Sequence, residues 1–207
     1  MTKPPARVAA LVLAAGLSSR MAGEHKLLAD LGGECLIRRT VRAVLQAGPC
    51  ETVVVTGHRA ADIEAALHGL DIRVVHNPAY AEGQAGSVAA GVAALRPGAD
   101  AIMVALGDQA LLTPHHYRAL IGAYAHVTPP AILVPVHDGR RGNPIVFSAQ
   151  LARGVASGEV VPLCRKLMQR HPSLVREIPV TADAYVTDCD TQDDLRRLRA
   201  RLSCKAA

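Results

Sequence analysis

A short stretch near the beginning of the sequence, LVLAAGLSSRMAGEHK at residues 11–26, combines residue types suited to binding an anion. Its apolar run stops at Gly16, and the residues that follow include Ser18, Arg20 and Lys26. Glycine permits unusual backbone angles, and the N–H and hydroxyl groups of such a loop can surround a phosphate while basic side chains balance its charge. The pattern favours a phosphate-binding loop.

The loop matches neither of the two phosphate motifs that commonly follow a first strand. The Walker pattern requires Gly and Lys where this sequence has Met21 and Ala22. The dinucleotide pattern G-x-G-x-x-G requires a second glycine at the position of Ser18. Taken alone, the stretch is equally compatible with a tight turn in which Arg20 and Lys26 are simply solvated.

Carboxylates that could hold a metal ion occur in two later segments. Asp108 ends the apolar run AIMVALGD at residues 101–108, and Mg²⁺ takes one or two such carboxylates together with water and substrate phosphates. Asp188 and Asp190 are two residues apart, which places both on the same side of an extended chain. The alternative is that Asp108 is a turn residue after Gly107 and that Asp190 merely neighbours a helix cap.

An α/β fold has to position these residues. Short apolar runs without polar alternation occur at residues 8–15, 52–57, 72–76, 101–108 and 131–136. Helical segments that end near Gly or Pro alternate with them, at 35–47, 59–69, 86–96 and 114–126. A last helix is predicted to begin at Thr191, with Asp194 in the acidic position of a capping box. This order indicates a doubly wound, mostly parallel sheet with helices on both faces, which binds ligands at the carboxyl ends of its strands.

Length and composition narrow the class of protein. The 207 residues fit one domain, residues 1–207. Half of them are hydrophobic, yet no run reaches the roughly 18 apolar residues of a membrane span. The first residues lead directly into a strand and lack the pattern of a signal peptide. We therefore expect a cytoplasmic protein without a membrane partner.

Cysteine usage and charge exclude further classes. The five cysteines are scattered and contain no C-x-x-C pair, which predicts reduced thiols rather than disulfides or a zinc site. Much of the net charge of +5 lies in the final basic helix. With no Trp and one Phe, the chain lacks the aromatic platforms of single-strand binders, and we expect no nucleic-acid partner.

At this point a family resemblance is visible. The segment LAAGLSSRMAGEHKLL resembles the L-A-A-G-x-S-x-R-M-G-x-x-x-K-L-L signature of the nucleotidyltransferases that act on the molybdenum cofactor, and most closely their cytidylyltransferase branch. Further similar segments follow in the family's order at 77–95, 104–114, 138–148 and 188–195. Three places depart from the family pattern: Ala22 replaces Gly, Cys189 replaces an aliphatic residue, and residues 157–167 lack G-D-x-G-A-R. The part of the sequence that would bind the acceptor therefore differs more from the family pattern than the part that would bind the nucleotide.

The resemblance implies a fold and a reaction. The fold is that of the nucleotide-diphospho-sugar transferases. The reaction is Mg²⁺-dependent transfer of CMP from CTP to the terminal phosphate of molybdopterin, with release of pyrophosphate and formation of a dinucleotide cofactor, which a molybdenum enzyme would then receive.

The resemblance also implies roles for individual residues. Catalytic roles fall to Arg20, Lys26 and Asp108, and metal binding to Asp108 and Asp190. The implied nucleotide-binding residues are Leu13, Ala14, Ala15, Gly16, Ser18, Ser87 and Gly107. The loop DGRRGNP at 138–144 would border the acceptor, with Arg140, Arg141 and Asn143 as contacts.

Several alternatives stay open. The loop at 138–144 is equally well an exposed turn, and Ser87 equally well caps the helix that GQAGS opens. A rival enzyme of the same fold uses GTP, or a sugar or isoprenoid phosphate as acceptor. Ala15 favours CTP, because the guanosine-using branch typically has Gly there and a methyl group would obstruct a purine. A rival of another class is a non-catalytic protein that delivers the cofactor, although the presence of Lys26, Asp108 and Asp190 together favours catalysis.

Overall fold

The computed structural model describes residues 6–18, 25–156 and 164–203. Within these ranges eight strands form one sheet: β1 (Val8–Ala14), β2 (Thr52–Thr56), β3 (Arg73–His76), β4 (Ala101–Leu106), β5 (Ile132–His137), β6 (Arg140–Arg141), β7 (Ile145–Ser148) and β8 (Val175–Pro179). Their order is β3-β2-β1-β4-β7-β5-β6, and β8 pairs with β5. Only β6 and β7 of these strands run antiparallel to the others, so the predicted doubly wound, mostly parallel sheet is confirmed.

Seven helices connect the strands of the described chain: α1 (Leu36–Gln46), α2 (Ala60–Ala66), α3 (Gln84–Ala94), α4 (Pro114–Tyr124), α5 (Ala149–Ala156), α6 (Cys164–Arg170) and α7 (Gln192–Ser203). Single 3₁₀ turns lie at Lys26–Leu28, Tyr80–Glu82, Pro172–Leu174 and Asp183–Val186. None of the described helices has the length and apolar character needed to cross a membrane.

The helices cover both faces of the sheet. On β1, Ala10 and Val12 belong to one hydrophobic cluster, which α1, α2, α4 and α7 complete. The intervening Leu11 and Leu13 belong to a second cluster with residues of α3, α5 and α6. Successive side chains of a strand point to opposite faces. Because both faces are covered, β1 and β4 are apolar at every position, which is why they appear as uninterrupted apolar runs in the sequence.

The predicted strands correspond to β1–β5, and the predicted helices to α1–α4 and α7. The predicted cap of α7 is also present: Asp194 N donates to Thr191 Oγ1 (3.2 Å), and Thr191 N donates to Asp194 Oδ2 (2.9 Å). The sequence did not predict β7, which inserts antiparallel between β4 and β5. As a result the acceptor-side loop leads into the middle of the sheet.

Candidate active site

Lys26 joins two carboxylates from distant parts of the chain. Its Nζ lies 2.6 Å from Asp108 Oδ2 and 2.8 Å from Asp190 Oδ1. The side chains of Lys26 and Asp108 are each 14% exposed, and that of Asp190 is 36% exposed. The three predicted residues therefore meet in one largely buried cluster, open to solvent on the Asp190 side.

The end of β4 brings Asp108 to this cluster. β1 and β4 are adjacent parallel strands, and Gly107 N donates to Leu13 O at 2.9 Å immediately after the last paired residues. A Cβ on Gly107 would lie 2.8 Å from both Leu13 O and Ile37 Cδ1. Gly107 thus lets the chain pass between β1 and α1, and this close approach points Asp108 towards the end of β1.

The cap of α7 brings Asp190 to the same place. Asp194 Oδ2 accepts hydrogen bonds from the backbone N–H groups of Asp190 (3.2 Å) and Thr191 (2.9 Å). Cys189, which lies between Asp188 and Asp190, is fully buried, and burial raises the pKa of its thiol to about 11. Its thiol is therefore protonated at neutral pH and packs as a small apolar side chain.

Burial and neighbouring charges shift the pKa values of Lys26 and Asp188. Burial alone would lower the pKa of the Lys26 ammonium, but the charges and hydrogen bonds of Asp108 and Asp190 outweigh it and raise the pKa. Lys26 is therefore a cation at neutral pH. Burial, and then the negative charge of Asp108, raise the pKa of the Asp188 carboxyl, while a hydrogen bond from Gln109 lowers it. Within the described part of the cluster, three carboxyl groups and one ammonium group act on one another.

The second oxygen of Asp108 fits a metal ion. Oδ1 is buried and has no hydrogen-bond partner in the structure. Among residues 6–18, 25–156 and 164–203, no three or more His, Cys, Asp or Glu side chains form a ready metal cluster. A pair of carboxylates such as Asp108 and Asp190 nevertheless suits Mg²⁺, which completes its shell with water and substrate phosphates.

The backbone carbonyl group of Tyr185 accepts hydrogen bonds from two other segments near this site. Tyr185 O accepts a hydrogen bond from Gln109 Nε2 at 3.2 Å and from Asn143 N at 2.9 Å. A Cβ on Gly142 would lie 2.2 Å from the same oxygen, so glycine is needed for this approach. Gln109, which the sequence did not single out and which directly follows Asp108, thus shares one carbonyl acceptor with the predicted acceptor loop.

A cavity of about 310 Å³ opens beside Lys26 and Asp108. It contains most of the predicted nucleotide-binding residues as well as side chains that follow β3, and its lining includes Leu13, Ala15, Gly16, Leu17, Tyr80, Gln84 and Ser87. Ala14 points away from it, into the opposite hydrophobic cluster.

The unusual backbone angle expected at Gly16 occurs instead at Ser18, which has a left-handed conformation with φ of 52°. Arg20 and Ala22 lie outside the described residues.

A row of rings supports one wall of the cavity and was not predicted. The His25 ring stacks on His58 with 5.5 Å between centroids, and His58 lies 6.2 Å from Tyr80. His25 Nε2 lies 3.3 Å from Gly16 O, and burial lowers the pKa of this histidine. A Cβ on Gly57 would lie 2.5 Å from Tyr80 Cβ, so only glycine lets β2 end against this row.

Ser87 has a fixed orientation on the opposite wall. Buried Asn77 donates from Nδ2 to Ser87 Oγ at 3.0 Å, and Asn77 Oδ1 accepts from Ala79 N at 3.1 Å. α3 begins at Gln84 after Gly83 and has no side-chain cap, so Ser87 does not cap this helix. The segment that follows β3 instead holds the Ser87 hydroxyl group beside the cavity.

The two predicted acceptor arginines lie on β6 and are exposed. Neither lines the cavity. Arg141 pairs with Glu177 on β8, with Nε and Nη2 both 2.8 Å from Glu177 Oε1. The pairing gives the two arginines different surroundings, because Arg141 is already neutralised by a carboxylate.

Several known proteins are similar to this chain in sequence. Residues 10–175 match the family model described as the MobA-like NTP transferase domain. The chain is 30% identical to nicotine blue oxidoreductase of Paenarthrobacter nicotinovorans, over 92% of this chain and 96% of that one. It is 28% identical to molybdenum cofactor cytidylyltransferase of Escherichia coli, over 92% and 95% respectively. A segment covering 55% of the chain is 40% identical to the bifunctional IPC transferase and DIPP synthase of Rubrobacter xylanophilus, of which it spans only 26%.

Solved structures agree with the fold. A nucleotidyl transferase from Methanothermobacter superposes with a TM-score of 0.82 at 29% identity, covering 96% of this chain and 99% of that one. Rv0371c of Mycobacterium tuberculosis, solved in complex with manganese, superposes with a TM-score of 0.73 at 27% identity, covering 94% and 98%.

Proposed function

The chain belongs to the family of MobA-like NTP transferase domains, and from this premise we propose that it transfers CMP from CTP to the terminal phosphate of molybdopterin. That phosphate attacks the α-phosphorus of CTP, pyrophosphate leaves, and a dinucleotide form of the cofactor results. We assign the whole chain, residues 1–207, to this one transferase domain. The name of the Escherichia coli relative supports this choice of substrates.

The observation that carries the proposal is the contact of Lys26 with both Asp108 and Asp190 at the edge of a cavity of nucleotide size. Transfer between two phosphate groups requires alignment of two anions that repel each other and neutralisation of the leaving pyrophosphate. One cation, two carboxylates and a glycine loop at Gly16 are the groups this task needs. The attacking phosphate is already ionised, so the reaction requires no general base.

Each group has a role in the proposed reaction. Lys26 neutralises the β- and γ-phosphates, and the backbone from Gly16 to Ser18, together with Arg20, surrounds them. Asp108 and Asp190 hold Mg²⁺, which supplies positive charge to the phosphate oxygens when it is bound. The manganese complex of Rv0371c supports a divalent cation in this fold family.

The cavity walls hold the nucleoside in this proposal. Leu13, Ala15 and Ser87 line the cavity, and the hydrogen bond from Asn77 fixes the orientation of the Ser87 hydroxyl group there. Ala15 is 6% exposed, and its methyl group faces Gly57 and Tyr80. A purine would have to displace this methyl group, which is the basis for proposing CTP.

The acceptor is assigned to the side of the Tyr185 carbonyl. Asn143 is bound there through its backbone, and Gln109, the residue directly after Asp108, donates to the same carbonyl. Arg140 and Arg141 extend from the same loop and would meet the acidic pterin phosphate. The proposed recipient of the product is a molybdenum enzyme.

Pyrophosphate release tests the proposal. We would incubate the protein with CTP, GTP or ATP and Mg²⁺, with and without molybdopterin, and include a no-enzyme control. Release that requires the pterin and prefers CTP is the expected result. Preference for GTP would keep the chemistry and reject the argument from Ala15. Release only with sugar or isoprenoid phosphates would replace the acceptor, and binding to an apo-enzyme without any release would indicate a delivery protein.

A further inference from the structure

Lys26 occupies the space between the two carboxylates that are proposed to bind the metal. Both contacts, 2.6 Å to Asp108 and 2.8 Å to Asp190, have the length of charge-assisted hydrogen bonds. The ammonium group is therefore not a loosely solvated cation near the site. It is bound at the place where one positive charge attracts both carboxylates and partly offsets their combined charge.

The balance of charge explains why a cation is needed here even without substrate. Asp108, Asp188 and Asp190 influence one another electrostatically, and Lys26 acts on the same group of charges. Asp108 Oδ1 is buried and has no hydrogen-bond partner among the described residues, and the other oxygen of this carboxylate contacts Lys26. Removal of the ammonium group would leave largely buried carboxylates facing each other, which is unfavourable.

A divalent cation that bridges Asp108 and Asp190 would compete with the ammonium group for the two oxygens that Lys26 now contacts. The metal ion and the ammonium group would be like charges at hydrogen-bond distance from the same two carboxylates, and like charges repel strongly in a partly buried site. The backbone of Lys26 is fixed, because Ala29 N donates to Lys26 O at 3.2 Å and the preceding His25 is buried. The four-carbon side chain, however, is flexible, so the ammonium group can move while the turn stays in place.

The cavity offers a second position for the ammonium group. Lys26 lines the same cavity as Gly16 and Ser87, so a triphosphate bound there presents new anionic partners. We propose that Lys26 acts as a resident counter-ion that keeps the divalent metal out of the nucleotide-free protein and gives up the carboxylates when a triphosphate binds. This inference rests on the proposed nucleotidyl transfer.

The consequence is coupling between metal and nucleotide. A metal binding alone has to displace Lys26 without providing it another anion, whereas a metal that arrives with the triphosphate provides one. Each ligand should therefore raise the affinity for the other, and by the same factor. Loss of the Lys26 charge should strengthen the binding of metal alone and weaken this coupling.

Binding of Mn²⁺, followed by the EPR signal of the free ion, tests the proposal without turnover. We expect the nucleotide-free protein to bind Mn²⁺ weakly and Lys26→Met to bind it roughly tenfold more tightly or better, since one like charge has been removed. A non-hydrolysable CTP analogue should raise Mn²⁺ affinity clearly in the wild type and much less in Lys26→Met. Lys166→Met, which removes an exposed lysine of α6, is the matched control and should bind as the wild type does.

Two further variants keep the result interpretable. Lys26→Arg retains the positive charge and should retain weak Mn²⁺ binding, and circular dichroism establishes that each variant is folded. If Lys26→Met is unfolded, Lys26→Gln replaces it with the same expectation. Equal or weaker Mn²⁺ binding by the folded, uncharged variant would overturn the proposal.

The result of the Mn²⁺-binding experiment can be distinguished from the result of the pyrophosphate-release assay. Failure to release pyrophosphate with any acceptor, combined with tighter Mn²⁺ binding in Lys26→Met, would reject the transferase activity and keep the role of Lys26. Normal pyrophosphate release with unchanged Mn²⁺ affinity in the variant would do the reverse.

Discussion

The side-chain amide of Gln109 donates a hydrogen bond of 2.9 Å to Asp188 Oδ1, although 79 residues separate the two. The same nitrogen donates to Tyr185 O, and Gln109 is fully buried. One amide group beside Asp108 therefore holds the segment that leads to Asp190. The relative position of the two proposed metal ligands depends on this donor.

Gln109→Glu should destabilise the protein by about 3 kcal/mol or more at pH 7, because it replaces a buried donor by an unpaired charge beside Asp108 and Asp188. Unfolding in urea measures the effect. The loss should become smaller at pH 5, where protonation of the new carboxyl removes its charge. Gln150→Glu, on the exposed side of α5, is the matched control and should change stability by no more than about 0.5 kcal/mol. A Gln109→Glu protein as stable as the wild type would show that the amide is not required.

Asp108→Asn should lower the rate of pyrophosphate release by roughly 100-fold or more while leaving the fold intact, because it removes a carboxylate proposed to hold the divalent cation that neutralises the reacting phosphates. Asp190→Asn should have a smaller effect, since its carboxylate is more exposed. The assay with CTP and molybdopterin measures both variants, and circular dichroism checks folding. Asp62→Asn, an exposed residue of α2 paired with Arg59, controls for the loss of a surface carboxylate. A near-normal rate for Asp108→Asn would reject its assignment.

The fold was predictable where strands are apolar throughout. β1 and β4 are buried at nearly every position and lie between two layers of helices, so their sequences contain an unbroken apolar signal. β7 has only four residues and follows Pro144 directly, while β8 has the mixed sequence VREIP. Short or half-exposed strands at this side of the sheet carry too little periodicity to be recognised.

The active site was predictable as a set of residues rather than as a geometry. Lys26 and Asp190 are 164 residues apart, and the sequence located both through motifs and the rule that ligands bind at the carboxyl ends of strands. The stack of His25 on His58 follows no motif, because it exists only once β1 and β2 pair side by side. Contacts that depend on strand pairing cannot be obtained from spacing along the chain.

Ala15→Gly should raise kcat/KM for GTP relative to CTP. Ala15 lines the cavity, and removal of its methyl group opens room for a larger base. A single methyl group changes discrimination by about 10-fold to 200-fold, so we expect a shift of roughly 10-fold in the ratio. Steady-state kinetics with both nucleotides measure it. Ala81→Gly, at another position of the cavity lining, is the matched control, and an unchanged ratio in Ala15→Gly would remove the basis for choosing CTP.

Arg140→Ala should raise KM for molybdopterin more than Arg141→Ala does. Arg141 is already paired with Glu177 at 2.8 Å, so its charge is less available to a phosphate. KM for CTP should stay the same in both variants, because neither arginine lines the nucleotide cavity. Kinetics with varied pterin at saturating CTP measure the difference. Equal KM values for the pterin in both variants and the wild type would place the acceptor elsewhere.

The stability of the protein should fall below about pH 6.5 in part because of His25. Burial, and then the charges of His58, Arg59 and Lys26, lower the pKa of His25 from 6.5, while the hydrogen bond to Gly16 O opposes this. As the pH falls through 6.5, the unfolded chain therefore takes up a proton at this residue that the folded protein does not, and the free energy of unfolding decreases. His25→Gln does not titrate, so its free energy of unfolding should fall less between pH 7.5 and pH 5.5. The slopes of the free energy of unfolding against pH should differ by at most about 1.4 kcal/mol per pH unit, the value for one proton.

Urea unfolding across this pH range measures the slopes, with His115→Gln on the exposed side of α4 as the control. Identical slopes for the wild type and His25→Gln would show that His25 takes up its proton equally well in the folded protein, which the buried ring and its cationic neighbours argue against.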